Sequence, residues 1–244
     1  INYQIFQDKE VQVYKTLMLR NSGSDWLRWN AGSMFRDGLI QSLPANKLDV
    51  DRQCYKPSVV FINGAYWGIH NIRERTNSHF IETNHNINED NIDFIGCKYG
   101  RDYVIEGDMN QYNQLISFIE SNDISLPENY EHIKNQVDLN QLLNYQILQI
   151  YASNGDWPQN NYKLWKPNTE IGKWRWIIHD IDGGFGLSGS DLVSHNTLIW
   201  AFYDYPDSSL NEYGAWPKSF FHSLLNNVDY VNEFIQRFGT HLNM

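Results

Sequence analysis

The sequence predicts an α+β fold, with a β-rich N-terminal part over residues 1–105 and a mainly helical C-terminal part over residues 106–244. Three observations lead there. Up to residue 105, apolar residues come in short β-prone runs separated by turn signals. From about residue 108 they recur three and four apart, which is the helical period. A last amphipathic run then occupies 218–238. A chain of 244 residues is long enough for one large domain, or for two lobes that share a cleft and a sizeable core.

The elements follow in order. "VYKTLMLRN" (13–21) reads as the first strand. "SVVFINGAYWGIHNI" (58–72) reads as a hairpin, because Asn63-Gly64 between β-prone runs suits a type I′ turn, which needs positive φ at both central residues. Between them, 26–43 holds a helix that ends before Pro44. Tyr112, Leu115, Ile116 and Ile119 mark one helix face. Asp138 with Gln141 three residues later is a variant capping box, opening a helix faced by Leu139, Leu142, Leu143, Ile147 and Ile150. Residues 154–186 read as loop, strand, turn, strand, loop. The stretch 187–217 is long and turn-rich, and 218–238 is a helix or a helix pair. Trp67, Trp157 and Trp165 are read as core or interface aromatics.

Composition narrows the partners. The chain is 41% hydrophobic and 15% aromatic, which argues for a folded globule. No run approaches the roughly 18 apolar residues that span a bilayer, so no membrane insertion is expected. The opening "INYQIFQDKEVQV" lacks the apolar centre of a secretory leader. Net charge is −10, and no Lys/Arg cluster is dense enough for nucleic acid. An acidic surface suits small molecules or basic proteins better. Cys54 and Cys97 are the only cysteines; one bridge and two buried thiols both fit, and buried thiols are the expectation.

The chemistry concentrates in "HDIDGGFG" (179–186). Gly184 to Gly189 spells G-x-G-x-x-G after a strand, but no helix and no βαβ unit follow, so a dinucleotide fold is excluded. Asp180, Asp182 and Asp191 match calcium-loop positions one, three and twelve. Position five is Gly184, without a side-chain oxygen, and the required glycine at position six is Phe185. A third reading survives. On a strand, residues i and i+2 share a face, so Asp180 and Asp182 present two hard oxygens to one Mg²⁺ or Mn²⁺, and the glycines leave room for a polyphosphate. Upstream, Asp156 and Asn161 are five apart in "GDWPQNN". That is the spacing of base and metal-binding Asn in a kinase catalytic loop. Phosphoryl transfer needs a carboxylate to take the hydroxyl proton, and an amide plus carboxylates to hold the cation.

Four segments together resemble the CotH-type kinases, atypical protein kinases associated with spore coats. They are "KTLMLRNSGSD…MFRDGL" (15–39), "VVFINGAYWGIHNIRER" (59–75), "NGDWPQNNYKLW" (154–165) and "KWRWIIHDIDGGFG" (173–186). The resemblance implies a divergent two-lobed protein-kinase-like fold. It also implies Asp156 as catalytic base and Asp180 as metal ligand, with Asp182 and Asn161 as further ligands. ATP is the implied co-substrate, Ser or Thr of a secreted or surface/coat protein the implied acceptor, and a secreted, cell-surface or periplasmic location is implied for the chain itself. The V-A-I-K lysine and the glycine-rich loop of ordinary kinases are missing. Lys15, Arg20, Arg36 and Arg73 are available for phosphates, and Glu74 is expected to pair with one of them. Arg20, Arg73 and Glu74 are therefore the candidate nucleotide-binding residues. His179 reads as a satisfied strand histidine. The acidic surface favours Lys/Arg-rich protein substrates. Two rivals remain: a non-catalytic CotH-like surface or coat-assembly module, and a D-x-D glycosyltransferase, which would need a parallel sheet.

Overall fold

The computed structural model describes residues 1–26, 32–187, 196–202 and 216–242. Its first sheet is built on the hairpin signal. β1 (Leu17–Arg20), β2 (Tyr55–Ile62) and β3 (Ala65–Glu74) pair antiparallel in the order β1-β3-β2. Asn63 and Gly64 turn the hairpin with φ of 51° and 80°, both positive as a type I′ turn demands. β1 is shorter than 13–21, because Tyr14 leaves the strand path to join Ile5, Phe6 and Cys54 in a small buried cluster. Opposed residues share a sheet face. Arg20, Asn71 and Arg73, with the pair Val59 and Ile69, therefore lie on one face, while Leu17, Ile72 and Glu74 lie on the other. Helix α1 (Arg36–Ser42) ends before Pro44, as expected; residues 27–31 of its expected approach lie outside the described residues.

The second sheet has the order β5-β4-β6-β7. It gathers β4 (Ile92–Lys98), β5 (Arg101–Glu106), β6 (Tyr162–Pro167) and β7 (Arg175–Ile178). The antiparallel ladder from β4 to β6 runs across the division drawn at residue 105. Periodicity marks where the chain changes style and carries no information on which strands pair. Every ladder between these strands is antiparallel, so the parallel sheet that the glycosyltransferase reading requires is missing among them.

Among the described residues there are eight helices. α2 (Ser78–His85) and α4 (Pro127–Gln136) escape the apolar pattern because they bury only Phe80 and Ile81, and only Ile133. α3 (Asn110–Ser121) buries Tyr112, Leu115 and Ile119. In α5 (Leu139–Tyr151) the Asp138 side chain accepts from the Gln141 amide at 3.2 Å, which is half of the expected box. The Gln141 side chain does not return to the cap. It donates to Trp176 O at 2.5 Å and accepts from Trp176 N at 2.9 Å, fastening α5 to β7. Every residue from Gln141 to Ile150 is buried, so α5 is the central helix. α6 (Thr197–Phe202) lies within 187–217, most of which falls outside the described residues, Gly189 and Asp191 included. The final segment is a pair, α7 (Trp216–Leu225) and α8 (Val228–Leu242). No helix among the described residues is long and apolar enough to cross a membrane.

Trp157 and Trp165 are core residues, whereas Trp67 is 63% exposed. It sits beyond the bulge at Val60/Phe61, where the hairpin projects past the layers that could cover it. Cys54 and Cys97 are buried free thiols, and burial pushes each up to about 12.

Asp51 ties this architecture together. Its buried carboxylate accepts from Trp165 Nε1 at 2.8 Å and Arg175 Nε at 3.2 Å, and lies 3.2 Å from His85 Nε2. Burial alone would raise its pKa, but His85 and Arg175 outweigh that and hold it well below the usual range. Its stabilising contribution is therefore complete above the unfolded value near pH 3.9 and is lost as pH falls below it. Asp51→Ala is expected to cost roughly 3–5 kcal/mol, the magnitude for an uncompensated buried partner, and to flatten the acid limb of a denaturant-midpoint titration.

Candidate active site

Two loops meet at one end of the second sheet. Tyr162, at the start of β6, opposes Ile178, at the end of β7. The segment entering β6 therefore lies beside the segment leaving β7. The first carries Asp156 and Asn161, and Asn161 Nδ2 donates to Asp156 Oδ2 at 3.1 Å. Asn161 holds φ at +54°, an αL conformation that Asn tolerates better than most residues. The second carries Asp180 and Asp182.

The carboxylates of this second loop converge, but not by strand alternation. Asp180 is left-handed, with φ +53° and ψ +58°, and Asp182 lies in the 3₁₀ turn Ile181–Gly183 that follows. Arg20, on β1, brings the two together: its Nη2 pairs with Asp180 Oδ1 and lies 3.6 Å from Asp182 Oδ2, while Nη1 lies 3.7 Å from Asp37 Oδ2. Asp182 Oδ2 also accepts from Ser24 N at 2.8 Å. The Ser24 loop can come this close only through Gly23, at φ +61°. A Cβ there would lie 2.6 Å from Asp182 Oδ2 and 2.8 Å from Arg20 Nη2.

The electrostatics split these groups. Burial, then the charge of Asp180, push the Asp182 carboxyl up to about 7. The same two causes, in the same order, raise Asp156. The loop thus holds more negative charge than Arg20 compensates. Two carboxylates and an amide oxygen on adjoining loops form a hard-oxygen donor set, which fits a divalent cation such as Mg²⁺ or Mn²⁺. Elsewhere, His79, Glu82 and Glu89 bring ligand atoms within 4.8 Å of one another, but Lys15 already pairs with both glutamates.

Other candidates fall in different places. Arg73 is fully buried on Asp37 and does not reach the Asp180–Asp182 loop. Glu74 pairs with none of the four basic residues expected for it. It takes Lys9 at 2.7 Å and the Cys54 amide at 2.9 Å, because alternation turns it to the far face of the sheet. Arg36 is spent on buried Asp25. His179 lies one residue beyond β7. It lies 3.4 Å from Thr76 Oγ1 and is held well below its usual pKa by burial and the charges of Lys163 and Arg20.

Sequence reasoning missed Lys163. It lies two residues after Asn161, whose left-handed φ stands outside β6 and breaks the strand alternation, so spacing alone does not place it. Its Nζ donates to Thr76 O at 2.9 Å and Oγ1 at 2.7 Å, two of the three bonds an ammonium can make. Burial and Arg75 lower it to about 8, against the opposing pull of Asp180. Cavities of about 190 and 560 Å³ lie elsewhere, the first lined by Leu48, Ile147 and Phe238, the second by Phe6, Arg52 and Tyr55. The reactive groups occupy neither, and the Asp180 side chain is 34% exposed.

Because the folded pKa of Asp182 lies above its unfolded value, this group destabilises the cation-free protein. The penalty is absent below about pH 4, grows as pH rises toward 7 and is complete above it. Asp182→Asn keeps an acceptor for Ser24 N and removes the charge. It is expected to stabilise the cation-free protein by about 1–3 kcal/mol at pH 8, with the gain fading toward pH 4 in urea unfolding.

Comparison with protein-family models matches residues 1–244 to CotH kinase protein. No curated protein matches the chain. The resemblance carried by four separate segments thus extends from end to end, and the chain belongs to the CotH kinase family.

Proposed function

We propose that this chain is a metal-dependent protein kinase that moves the γ-phosphate of ATP to a Ser or Thr hydroxyl of a secreted or surface protein. In this reading the first sheet is the smaller lobe of a divergent kinase-like pair and covers the nucleotide. The observation that carries it is the juxtaposition of the bonded pair Asp156–Asn161 with Asp180 and Asp182, under the cation Arg20.

Asp156 would accept the hydroxyl proton. Its raised pKa improves it as a base, and the bond from Asn161 fixes its rotamer. As the proton leaves, the acceptor oxygen forms a bond to the γ-phosphorus. The bond from that phosphorus to the β,γ-bridging oxygen breaks, and its electron pair leaves on ADP. Mg²⁺ or Mn²⁺, when bound, supplies neutralisation of the phosphate charge, and Asn161, Asp180 and Asp182 are the residues that would hold it. Arg20 and Lys163 are the cations that would meet the phosphates. The exposed pair Val59 and Ile69, on the Arg20 face of the first sheet, offers apolar surface for a base.

A second reading, a non-catalytic surface or coat-assembly module, is favoured by one feature: Arg20 already pairs with Asp180 and contacts Asp182. The two are separated by Mg-ATP binding and ³²P transfer. The kinase reading expects divalent-dependent binding that Asp180→Ala abolishes. It also expects Asp156→Ala to retain binding while transfer falls by about 10²–10⁴-fold. A wild-type protein that binds no Mg-ATP, or transfers no better than Asp156→Ala, would leave the module reading standing.

A further inference from the structure

A third loop shares the end of the second sheet where the candidate site lies. β4 runs antiparallel to β6, with Gly96 opposite Lys163, so the β4–β5 turn projects from the same end as Asp156 and Asp180. The order across the sheet is β5-β4-β6-β7. The β4–β5 turn therefore lies on one side of the Asp156 loop, and the Asp180–Asp182 loop lies on the other.

This turn is built to hold its position. Lys98 and Arg101 close it as an opposed pair around Tyr99 and Gly100, both at positive φ (52° and 67°). Tyr99 is an unfavourable residue for that conformation. Its amide is satisfied by the catalytic loop itself, donating to Asn160 Oδ1 at 2.8 Å, and Cys97 Sγ donates to Gln159 O at 3.6 Å. The turn is thus fastened to the residues between Asp156 and Asn161. Its charge is basic and available: Lys98 and Arg101 are exposed, and neither forms an ion pair among the described residues. Lys98 Nζ lies over the Tyr99 ring, 5.3 Å from its centroid. Asp102, the adjacent acid, is turned away and bonded by Tyr112 and Tyr162.

We infer that the β4–β5 turn is the acceptor-recognition element of this enzyme, and that Lys98 and Arg101 select hydroxyls flanked by carboxylate side chains. This rests on the kinase reading above. In an in-line transfer, the attacking and leaving oxygens stand on opposite sides of the phosphorus. With the phosphates held toward Asp180 and Asp182, and Asp156 in the middle, the acceptor enters from the side of the turn. Its neighbouring residues then lie against two cations that form no ion pair among the described residues. The local sign is opposite to the one that net charge suggests, and a Lys/Arg-rich acceptor would be repelled at this position.

The test uses three peptides identical except at the positions flanking one Ser, which carry Glu, Gln or Lys, with purified protein and Mg-ATP. Wild type is expected to prefer the Glu peptide over the Lys peptide about tenfold in kcat/KM, carried by the KM for peptide. Lys98→Glu/Arg101→Glu should invert that order, and Lys98→Arg/Arg101→Lys should preserve it. A wild-type preference for the Lys peptide, or a Glu-to-Lys ratio untouched by the charge reversal, overturns the inference while transfer itself sustains the kinase reading. If Mg-ATP binding and transfer to all three peptides are both absent, the kinase reading falls and this inference falls with it.

Discussion

The candidate site depends on one buried carboxylate that takes no part in its chemistry. Asp37, in the first turn of α1, accepts from Arg73 on β3, from Gln41 one turn on at 3.1 Å and from the Ile181 amide at 2.9 Å, with Arg20 at 3.7 Å. The first sheet, α1 and the Asp180–Asp182 loop are thus fastened at one point. Burial alone would raise the Asp37 pKa. Arg73 and Arg20 outweigh burial and lower it, so the acid stays charged. Removing an ion costs several kcal/mol when its buried partners are left uncompensated, and here the partners include Arg20. Asp182 is the contrasting case. It is also buried, but among the described residues only one guanidinium stands near it, at 3.6 Å, and Asp180 repels it. Two buried acids on either side of one arginine are driven in opposite directions, one toward architecture and one toward a cation.

The backbone around these groups is strained in a concentrated way. Ser153, Asn161, Asp180 and Phe185 all hold φ between 43° and 54°, and all belong to the two site loops. Each such conformation costs on the order of 1 kcal/mol and persists only where its surroundings over-determine it. The surroundings can be named. Phe185 N donates to Ala152 O at 2.6 Å, linking the end of α5 to the glycine loop, and the Tyr151 and Phe185 rings meet edge to face. Gly184 fits because a Cβ would stand 2.8 Å from Ile40 and 2.9 Å from Ala152 O. Gly184, one of the glycines that suggested room for phosphate, thus serves first to seat the loop against α1 and the end of α5.

What the sequence made legible was local. Asn63-Gly64 declared its turn through φ, Asp138 its cap through a bond three residues long, and Asp156–Asn161 their proximity through a spacing that the structure closes into a hydrogen bond. What it hid was long-range. Nothing near Glu74 in the chain announces Lys9, 65 residues away, and nothing near Arg20 announces Asp180, 160 away. The convergence of Asp180 and Asp182 was expected for the wrong local reason, strand alternation, and is produced by a left-handed residue and a distant arginine. Lys163 follows Asn161, whose left-handed φ takes it off the strand path, so alternation gave no sign of it, and its burial could be known only once β4 and β7 flanked β6.

Charge is where the global and the local readings part. The chain carries 29 acidic against 19 basic residues, and that excess sets the sign of its far field. Yet Lys9, Arg36, Arg52, Arg73 and Arg175 are committed to carboxylates within the fold, so they contribute little to any surface a partner meets. At physiological ionic strength screening acts over about 8 Å. An acceptor side chain beside the Asp156 loop therefore responds to the groups at that loop, not to the sum over the chain. Lys98 and Arg101 are the exposed cations of a turn bonded to that loop. In the proposed reading, a basic protein would be drawn toward such a molecule from a distance and opposed at the point of transfer, while an acidic acceptor would meet the reverse. In the proposed kinase reading, the far field would govern the encounter rate, and the turn would govern which hydroxyl stays long enough to react.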